Sequence, residues 1–336
     1  MTGPTIAIVG ATGLVGNEML VVLEELKLPV GKVRLLASLD SVGEVYRFGA
    51  EELVVEELTA DSLRGVDLAL FATSAELSSR WVPIAIEHGA VCIDNSSFYR
   101  NDPKIPLIVP EVNAASLGIH DRLIANPNCS AMQLVPVLKS LHEFAGLKRV
   151  VVSTYQSVSG AGKAAIDELW GQHLAILNQR EVVNEVFPHQ IAFNLIPQID
   201  SVQDDGYTKE EQKIMTETRK ILGLPELSIT ATAVRVPTLH THAESVNVEL
   251  SRPFELAELT ANLAKMSGVE VWADPGEYPM PLQAVSTNPI HVGRIRRDHS
   301  VPNGVNLWIV ADNLRKGAAL NAVQIAELVL ARRQLQ

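Results

Sequence analysis

The hydrophobic positions in the first third of the chain form short continuous runs that alternate with helical stripes. The apolar runs lie at residues 5–9, 33–37, 68–72 and 91–93. Between them, residues 19–26 and 78–88 carry apolar side chains at helical spacing. Strands that are apolar on both faces are typical of a parallel sheet covered by helices on both sides. The pattern therefore predicts an α/β fold that begins with a doubly wound parallel-sheet domain.

A different pattern begins near residue 150. Strand-like segments lie at residues 150–154, 229–236 and 245–250, and helix-like segments lie at 163–178, 208–222 and 318–333. The second helix-like segment opens with Thr208 and Glu211 at the spacing of a capping box. Within 245–250, Val246, Val248 and Leu250 alternate with polar residues, which predicts an antiparallel sheet with one buried face. We expect the other face to be exposed or covered by a partner. An α+β domain at residues 130–314 is therefore predicted, inserted into a first domain of residues 1–129 and 315–336.

Composition narrows the class of protein. The 336 residues include 47% hydrophobic and 20% charged side chains, which excludes disorder and suits two domains. A net charge of −11 argues against nucleic-acid binding, and no run approaches the ~18 apolar residues of a membrane span. The first 26 residues contain no Lys or Arg, so no secretory signal is expected and we predict a cytoplasmic protein. Two cysteines are too few for a disulfide framework or a zinc site, so no metal is expected.

A glycine-bearing turn follows the first predicted strand and opens the first predicted helix. Glycines let the backbone turn tightly and approach a pyrophosphate, whose charge then lies at the helix N-terminus, as in Rossmann-type domains. We interpret the turn as a dinucleotide site, with a plain tight turn as the alternative. The predicted cofactor-binding residues of this turn are Gly10, Thr12, Gly13, Leu14, Val15 and Gly16.

The loop after the second predicted strand bears on the choice between NAD and NADP. It contains Asp40 and Glu44. A carboxylate at this point bonds the ribose hydroxyls of NAD and repels the 2′-phosphate of NADP. Taken alone, the loop therefore favours NAD, and the alternative is that both residues are solvated loop acids.

One of the two cysteines lies where a thiol becomes reactive. Cys129 follows Pro127 and Asn128 and precedes apolar residues at helical spacing, so it falls at or just before the first turn of a helix. The positive end of a helix favours the thiolate, which is the nucleophilic form. Pro136 predicts that this helix is kinked or short. An inert buried thiol is the alternative for Cys129 and is our interpretation of Cys92, which lies inside a predicted strand.

Two later segments supply companions for the thiol. Residues 155–162 form a polar, glycine-bearing loop after a predicted strand, which suits substrate binding. Residues 235–242 supply a guanidinium and an imidazole: Arg235 can bind a carboxylate through two hydrogen bonds, and His242 can transfer a proton near neutral pH. Each of these residues taken alone is more often structural, so the hypothesis depends on their occurring together.

These residues and the blocks around them resemble the aspartate-semialdehyde dehydrogenase family, from Ile6 to about Arg333. The shared blocks are long and unusual in sequence, which makes the resemblance specific. They lie at residues 10–16, 94–100, 109–113, 126–130, 153–162, 191–194, 196–200, 292–298 and 312–319. The resemblance implies a Rossmann-type NAD(P)-binding domain, a catalytic and dimerisation domain, and a homodimer or a dimer of dimers.

The resemblance also implies an activity and a role for individual residues. The family reduces L-aspartyl 4-phosphate to L-aspartate 4-semialdehyde with NADPH, through a thioester and a thiohemiacetal on a cysteine. By resemblance, Cys129 is the nucleophile, His242 the acid/base, and Gln156 the residue that orients the intermediate. The implied substrate-binding residues are Arg235 for the carboxylate, Glu210 for the amino group, and Lys213, Arg100 and Asn128 for the phosphate. Further implied cofactor contacts are Ser38, Asp40, Ser159, Gly160 and Asn313.

Two loops depart from the family pattern. Members commonly carry a basic residue for the 2′-phosphate where this chain has Asp40 and Glu44. A loop that is small and glycine-bearing in many members contains Glu76. NADP is therefore the cofactor implied by resemblance, and NAD is the alternative that the carboxylates favour.

Two other functions remain open at this point. One is the same reaction on a different acyl phosphate, as in N-acetyl-glutamyl-phosphate reductase, and an amine-binding Glu210 argues against an acetylated substrate. The other is a non-catalytic paralogue that serves as a binding protein. The presence of Cys129, Gln156 and His242 together argues against that alternative.

Overall fold

The computed structural model describes residues 3–334. The strands are β1 (Thr5–Val9), β2 (Lys32–Ala37), β3 (Val45–Phe48), β4 (Glu51–Glu57), β5 (Leu68–Phe71), β6 (Val91–Asp94), β7 (Leu123–Ala125), β8 (Leu147–Gln156), β9 (Ser228–Arg235), β10 (His242–Leu250), β11 (Val269–Val271), β12 (Ile290–Asp298) and β13 (Gly304–Ala311). The helices are α1 (Leu14–Glu25), α2 (Ala75–Glu87), α3 (Pro110–Asn113), α4 (Cys129–Ala145), α5 (Lys163–Leu177), α6 (Lys209–Leu222), α7 (Leu256–Leu263), α8 (Pro281–Ala284) and α9 (Leu320–Gln334). A π-helical turn, Arg315–Ala319, precedes α9. No helix within the described residues is both long and apolar enough to cross a bilayer.

The chain divides into two compact units. One unit contains the residues up to Pro127 and those from Ala318, and the other is Asn128–Gly317. The sheet of the first unit has the order β3-β4-β2-β1-β5-β6-β7, and its pairs are parallel except for β3 with β4. Strand order reverses between β1 and β5, which is where doubly wound folds bind ligands. The prediction of a doubly wound parallel-sheet domain is confirmed.

The second unit contains a six-stranded sheet of order β11-β12-β13-β10-β8-β9. Its central pairs are antiparallel, as the alternating pattern predicts, whereas β8 with β9 and β11 with β12 are parallel. The antiparallel prediction is therefore wrong at both edges. The connection from β8 to β9 contains α5 and α6, and a helical crossover of this length returns a strand in the same direction.

Helix α4 continues through Pro136 for 17 residues. The expectation of a short helix is wrong because the helix is held by packing on both sides of the proline. Leu134, Val137, Leu138 and Leu141 are fully buried in the same core cluster as strands β8 and β10. The stabilisation from tertiary packing thus outweighs the loss of the backbone hydrogen bond that proline cannot donate.

Candidate active site

Three neighbouring strands of the six-stranded sheet end in polar side chains that lie in one row. Gln156 at the end of β8 pairs with Arg235 of β9 on one side and with His242 of β10 on the other. Residues paired across strands direct their side chains to the same face of a sheet. All three side chains are buried. The sheet therefore aligns the guanidinium and the imidazole with an amide that lies about 80 residues earlier in the sequence.

Helix α4 begins at Cys129, as the sequence predicts. The helix is capped by Asn128, whose Oδ1 accepts hydrogen bonds from the backbone N–H groups of Ser130 at 3.0 Å and Ala131 at 3.2 Å. The half-buried thiol thus lies at the positive end of a 17-residue helix. On another side, a Cβ added to Gly317 would lie 3.0 Å from the Cβ of Cys129. A side chain at position 317 would therefore crowd Cys129.

Glu210 of α6 links the capping residue to the row of strand ends. Its Oε1 accepts hydrogen bonds from Asn128 Nδ2 at 2.8 Å and from Gln156 Nε2 at 3.2 Å. Its Oε2 lies 3.4 Å from Lys213 Nζ, which also donates to Asp200 Oδ2 at 2.9 Å. Burial alone raises the pKa of Glu210, but Lys213, the two amides and the nearby guanidinium outweigh burial and lower it. Glu210 is therefore an ionised carboxylate within the site.

A second carboxylate of α6 reaches the same capping residue. Glu217 is buried, and its Oε2 accepts a hydrogen bond from the backbone N–H of Asn128 at 2.6 Å. Glu210 and Glu217 are seven residues apart, about two helical turns, so they project from one face of α6. The predicted capping box of Thr208 and Glu211 is present and fixes the start of this helix. Sequence reasoning missed Glu217, although its spacing from Glu210 was a usable signal.

The imidazole of His242 is held by Ser157. Nδ1 accepts a hydrogen bond from the Ser157 backbone N–H at 3.1 Å, which assigns the proton of the neutral ring to Nε2. Nε2 has no hydrogen-bond partner among residues 3–334. Burial, and then the charge of Arg235, lower the pKa of His242 to about 3. This differs from the expectation of a ring that titrates near neutral pH, since the buried ring stays neutral there.

The guanidinium of Arg235 is equally constrained. Its Nη1 donates a hydrogen bond to the Ser157 carbonyl oxygen at 2.7 Å. Burial lowers its pKa, and the charges of Glu210 and Cys129 oppose that effect, which places both within electrostatic reach of the guanidinium. A Cβ added to Gly160 would lie 3.0 Å from Arg235 Nη1 and 3.2 Å from His242 Nε2. Gly160 therefore brings bare backbone against both functional groups.

The predicted cofactor contacts Ser159 and Asn313 bond to each other in the second unit. Asn313 Nδ2 donates to Ser159 Oγ at 3.0 Å, and Asn313 Oδ1 accepts from the Thr241 backbone N–H at 2.8 Å. Both predicted residues are buried. Asn313 thus contacts the residue that precedes His242 in the chain.

Arg100 lies in the first unit, on the loop that follows β6. Its Nη2 donates to the Asn95 carbonyl oxygen at 2.7 Å, and the side chain is buried. The start of this loop is fixed by Asp94, whose carboxylate accepts hydrogen bonds from the hydroxyls of Ser78 and Ser96, both at 2.6 Å. A backbone carbonyl therefore holds the guanidinium, on a loop whose start is fixed by hydroxyl contacts to Asp94.

The glycine turn of the first unit has the shape of a pyrophosphate cradle. Gly10 has a φ of +82°, and a Cβ there would lie 2.5 Å from the Ala72 carbonyl oxygen. A Cβ on Gly16 would lie 2.2 Å from the Gly10 carbonyl oxygen. Helix α1 begins at Leu14 with no side-chain cap and no acidic residue in its first turn. Its N-terminus therefore offers backbone N–H groups and positive dipole to an anion, which fits a dinucleotide.

The carboxylates that depart from the family pattern have distinct surroundings. Asp40 is exposed in the short 3₁₀ turn Leu39–Ser41 that follows β2. Glu44 accepts a hydrogen bond from the Tyr46 hydroxyl at 3.0 Å. Glu76 lies in the first turn of α2, where a negative charge stabilises the helix dipole. Asp40 and Glu44 therefore lie near the end of β2, where they can affect the choice of cofactor. Glu76 is explained by its place in the first turn of α2.

Two family models match the chain along most of its length. The NAD binding domain of semialdehyde dehydrogenase matches residues 5–120, and the semialdehyde dehydrogenase dimerisation domain matches residues 138–316. An aspartate-semialdehyde dehydrogenase of Bacillus subtilis is 47% identical over 335 residues, with 97% of each chain covered. The chain belongs to the aspartate-semialdehyde dehydrogenase family.

Other aspartate-semialdehyde dehydrogenases agree in sequence and structure. That of Aquifex aeolicus is 47% identical over 98% of each chain. The crystal structure of aspartate semialdehyde dehydrogenase II from Vibrio cholerae, complexed with ASA, has a TM-score of 0.96 and 46% identity, over 98% of this chain and 99% of that one. The family membership confirms the resemblance and a fold with an NAD(P)-binding domain and a dimerisation domain.

Proposed function

We propose that the chain reduces L-aspartyl 4-phosphate to L-aspartate 4-semialdehyde with NAD(P)H and releases phosphate. The observation that carries this proposal is the row of Arg235, Gln156 and His242, joined through Glu210 to the residue that caps the Cys129 helix. A nucleophile, an acid/base and groups for a carboxylate and an ammonium thus belong to one connected arrangement. Such a set is what acyl transfer followed by reduction requires.

Cys129 is the proposed nucleophile. Its position at the start of α4 and the nearby charge of Arg235 both favour the thiolate. The thiolate sulfur forms a bond to the acyl carbon, the carbon–oxygen bond to phosphate breaks, and phosphate leaves with the bonding pair. Gln156 is held by Glu210 and by the Thr154 hydroxyl at 3.0 Å, so it can orient the thioester that results.

The substrate is proposed to bind through three kinds of charge. Arg235 would take the α-carboxylate through two parallel hydrogen bonds. Glu210, which stays ionised, would take the α-ammonium. Lys213, Asn128 and Arg100 would hold the phosphate, whose charge suits cations and amide donors. Glu210 has no equivalent partner on an N-acetylated substrate, which favours the aspartyl substrate over that alternative.

His242 is proposed to move a proton at Nε2. When bound, NAD(P)H supplies a hydride to the thioester carbon, whose oxygen then develops negative charge. The neutral ring carries its proton on Nε2 and can transfer it to that oxygen, which leaves an imidazolate that the neighbouring charge of Arg235 stabilises. As the thiohemiacetal collapses to the aldehyde, the proton returns to Nε2 and the thiolate is restored. Ser157 keeps the ring in the required tautomer throughout.

The cofactor-binding residues are proposed to be those of the glycine turn together with Ser38, Asp40, Ser159, Gly160 and Asn313. NADP is implied by resemblance. However, exposed Asp40 at the end of β2 suits ribose hydroxyls and repels a 2′-phosphate. Arg34, on the same strand, is paired with Glu56 at 2.5 Å. We therefore expect NAD to compete with NADP better than in relatives that carry a cation at this point.

The ratio of kcat/KM for NAD to that for NADP tests this cofactor proposal. Asp40→Ala should shift the ratio toward NADP, and exposed Glu52→Ala on β4 is the matched control. A strong preference for NADP that Asp40→Ala leaves unaltered would refute the proposal.

The outer face of the six-stranded sheet is proposed as the dimer interface. Tyr155 and Trp308 contact each other there, with ring centroids 5.5 Å apart and ring planes inclined by 54°, beside a cavity of about 390 Å³ lined by Tyr278 and Arg294. Aromatic residues and Arg are typical of interface centres. Light scattering should give a dimeric mass for wild type and a monomeric mass for Tyr155→Asp. The control Val54→Asp, at an exposed position of β4, should leave the dimeric mass unchanged. A tetrameric mass would indicate the dimer of dimers.

The proposed domains are residues 1–129 with 315–336 for the cofactor and 130–314 for catalysis and dimerisation. The compact units divide at Pro127 and Ala318, close to these limits.

Phosphate-dependent reduction of NADP and NAD by L-aspartate 4-semialdehyde, which is the reverse reaction, tests the proposed function. Wild type should be active and Cys129→Ala inactive. Absence of wild-type activity with both cofactors would refute the proposal and favour a binding protein.

A further inference from the structure

Thr241, the residue before His242, has an unusual backbone conformation. Its φ is +71°, in the left-handed region. A β-branched residue is disfavoured there because its Cβ crowds the backbone. Such a conformation persists only where surrounding contacts hold it, and these positions concentrate at functional sites. Thr241 leads directly into β10, so its conformation sets the direction in which the chain enters the strand at His242.

The contact that holds Thr241 comes from Asn313. Asn313 Oδ1 accepts a hydrogen bond from the Thr241 backbone N–H at 2.8 Å, across 72 residues of sequence. The amide is anchored at its other end, because Nδ2 donates to Ser159 Oγ at 3.0 Å. Thr241 is 1% exposed and Asn313 is 4% exposed. Water therefore has little access to these two residues and cannot easily replace the hydrogen bond between them.

The same amide oxygen also contacts Ser157, the residue that bonds the imidazole. Ser157 Oγ lies 3.3 Å from Asn313 Oδ1 and 3.2 Å from His242 Nδ1. The Ser157 backbone N–H donates to that Nδ1 at 3.1 Å. Asn313 thus contacts both the backbone that precedes His242 and the residue that fixes its tautomer.

We propose that Asn313 is a positioning residue for His242, whose amide oxygen holds Thr241 in its strained conformation and thereby aims the imidazole. The proposal rests on the proposed function, in which His242 moves a proton. It gives Asn313 a role that is separate from the cofactor contact implied by resemblance. The two roles predict different kinetics.

The test uses Asn313→Ala with and without Thr241→Gly, in phosphate-dependent oxidation of L-aspartate 4-semialdehyde. Loss of the holding contact should lower kcat about 30-fold, whereas any change in the KM for NADP would report the separate cofactor contact. Thr241→Gly should then restore kcat about tenfold, because glycine adopts a positive φ without support. Asn262→Ala, which removes an amide hydrogen bond to Ser140, is the control and should keep wild-type kcat.

Thermal unfolding supplies a readout that does not depend on activity. Thr241→Gly should raise the Tm of Asn313→Ala more than it raises the Tm of wild type. The reason is that glycine relieves the backbone strain at position 241, which the Asn313 hydrogen bond no longer offsets in the variant. Equal effects in the two backgrounds would overturn the proposal even if the protein had another activity. Should Asn313→Ala not fold, Asn313→Asp keeps an oxygen acceptor for the Thr241 N–H and should retain kcat within about tenfold.

Kinetic results can also contradict the proposal. A raised KM for NADP with kcat preserved, and no recovery on adding Thr241→Gly, would show that Asn313 acts as a cofactor contact alone. A hundredfold or greater loss of kcat in Asn313→Asp, with the fold intact, would have the same meaning. An inactive wild type would instead refute the proposed function, so the two failures are distinguishable.

Discussion

Glu244 provides a quantitative test of how strongly strand β10 is buried. It follows His242 by two residues on the same face of β10 and is fully buried. Within residues 3–334, neither of its carboxyl oxygens has a hydrogen-bond partner. The Gln133 amide is close enough to act on it but does not reach hydrogen-bonding geometry. Burial raises the pKa of Glu244 from 4.5 to about 8, and Gln133 offsets only part of that effect.

The sign of the resulting pH dependence follows from linkage. Between pH 4.5 and about 8 the unfolded chain has lost the Glu244 proton while the folded chain retains it, so stability falls as pH rises through this range. The two pKa values differ by about 3.5, which at 1.36 kcal/mol for each unit is on the order of 5 kcal/mol. Glu244→Gln keeps the shape of the side chain and cannot ionise. The variant should therefore gain stability over wild type as pH rises.

Thermal unfolding from pH 5 to pH 8 checks this prediction. A free energy of 1 kcal/mol shifts Tm by about 2–4 °C in a domain of this size, so the Tm advantage of Glu244→Gln should grow by on the order of 10 °C. The same change at exposed Glu226 is the matched control and should leave the pH dependence as in wild type. Parallel pH profiles for wild type and Glu244→Gln would refute the reasoning, because they would mean that the buried carboxyl titrates as it does in the unfolded chain.

Three further substitutions probe the site. Gly160→Ala would place a methyl group 3.0 Å from Arg235 Nη1 and should lower kcat/KM about tenfold at unchanged Tm. A variant whose steady-state kinetics match those of wild type would contradict the packing described. Gly317→Ala crowds Cys129 and should slow alkylation of the thiol by iodoacetamide. The control Gly171→Ala in α5 places its methyl group in open space and should leave the rate unchanged. Equal alkylation rates in the two variants would contradict the contact between Gly317 and Cys129. Arg235→Lys should raise the KM for the semialdehyde roughly 10–100-fold, because an ammonium cannot make two parallel hydrogen bonds, and an unaltered KM would remove Arg235 from substrate binding.

Local patterns predicted the features that depend on neighbouring residues. The glycine turn, the capping box of α6 and the start of α4 each follow from residues within about one or two helical turns, and the structure has all three. The alternation in β10 likewise predicted a buried face and an antiparallel pairing. In these cases the sequence carries the physical cause in one short segment.

Features that depend on distant residues were not predicted. The hydrogen bond from Glu217 to Asn128 spans 89 residues, and the packing of Gly317 against Cys129 joins the two ends of the second unit. The lowered pKa of His242 likewise depends mainly on burial, which no local pattern reveals. Pro136 was misjudged because its surroundings, rather than its own propensity, maintain the helix.

Mass spectrometry of the acylated enzyme tests the central claim, that Cys129 carries the acyl group during turnover. Wild type is incubated with L-aspartate 4-semialdehyde and NADP in the absence of phosphate, so that the thioester has no acceptor and accumulates. We predict a burst of about one NADPH per subunit and an aspartyl adduct on the peptide that contains Cys129, which added phosphate releases. An adduct on another residue, or phosphate-dependent turnover by Cys129→Ala, would contradict the account.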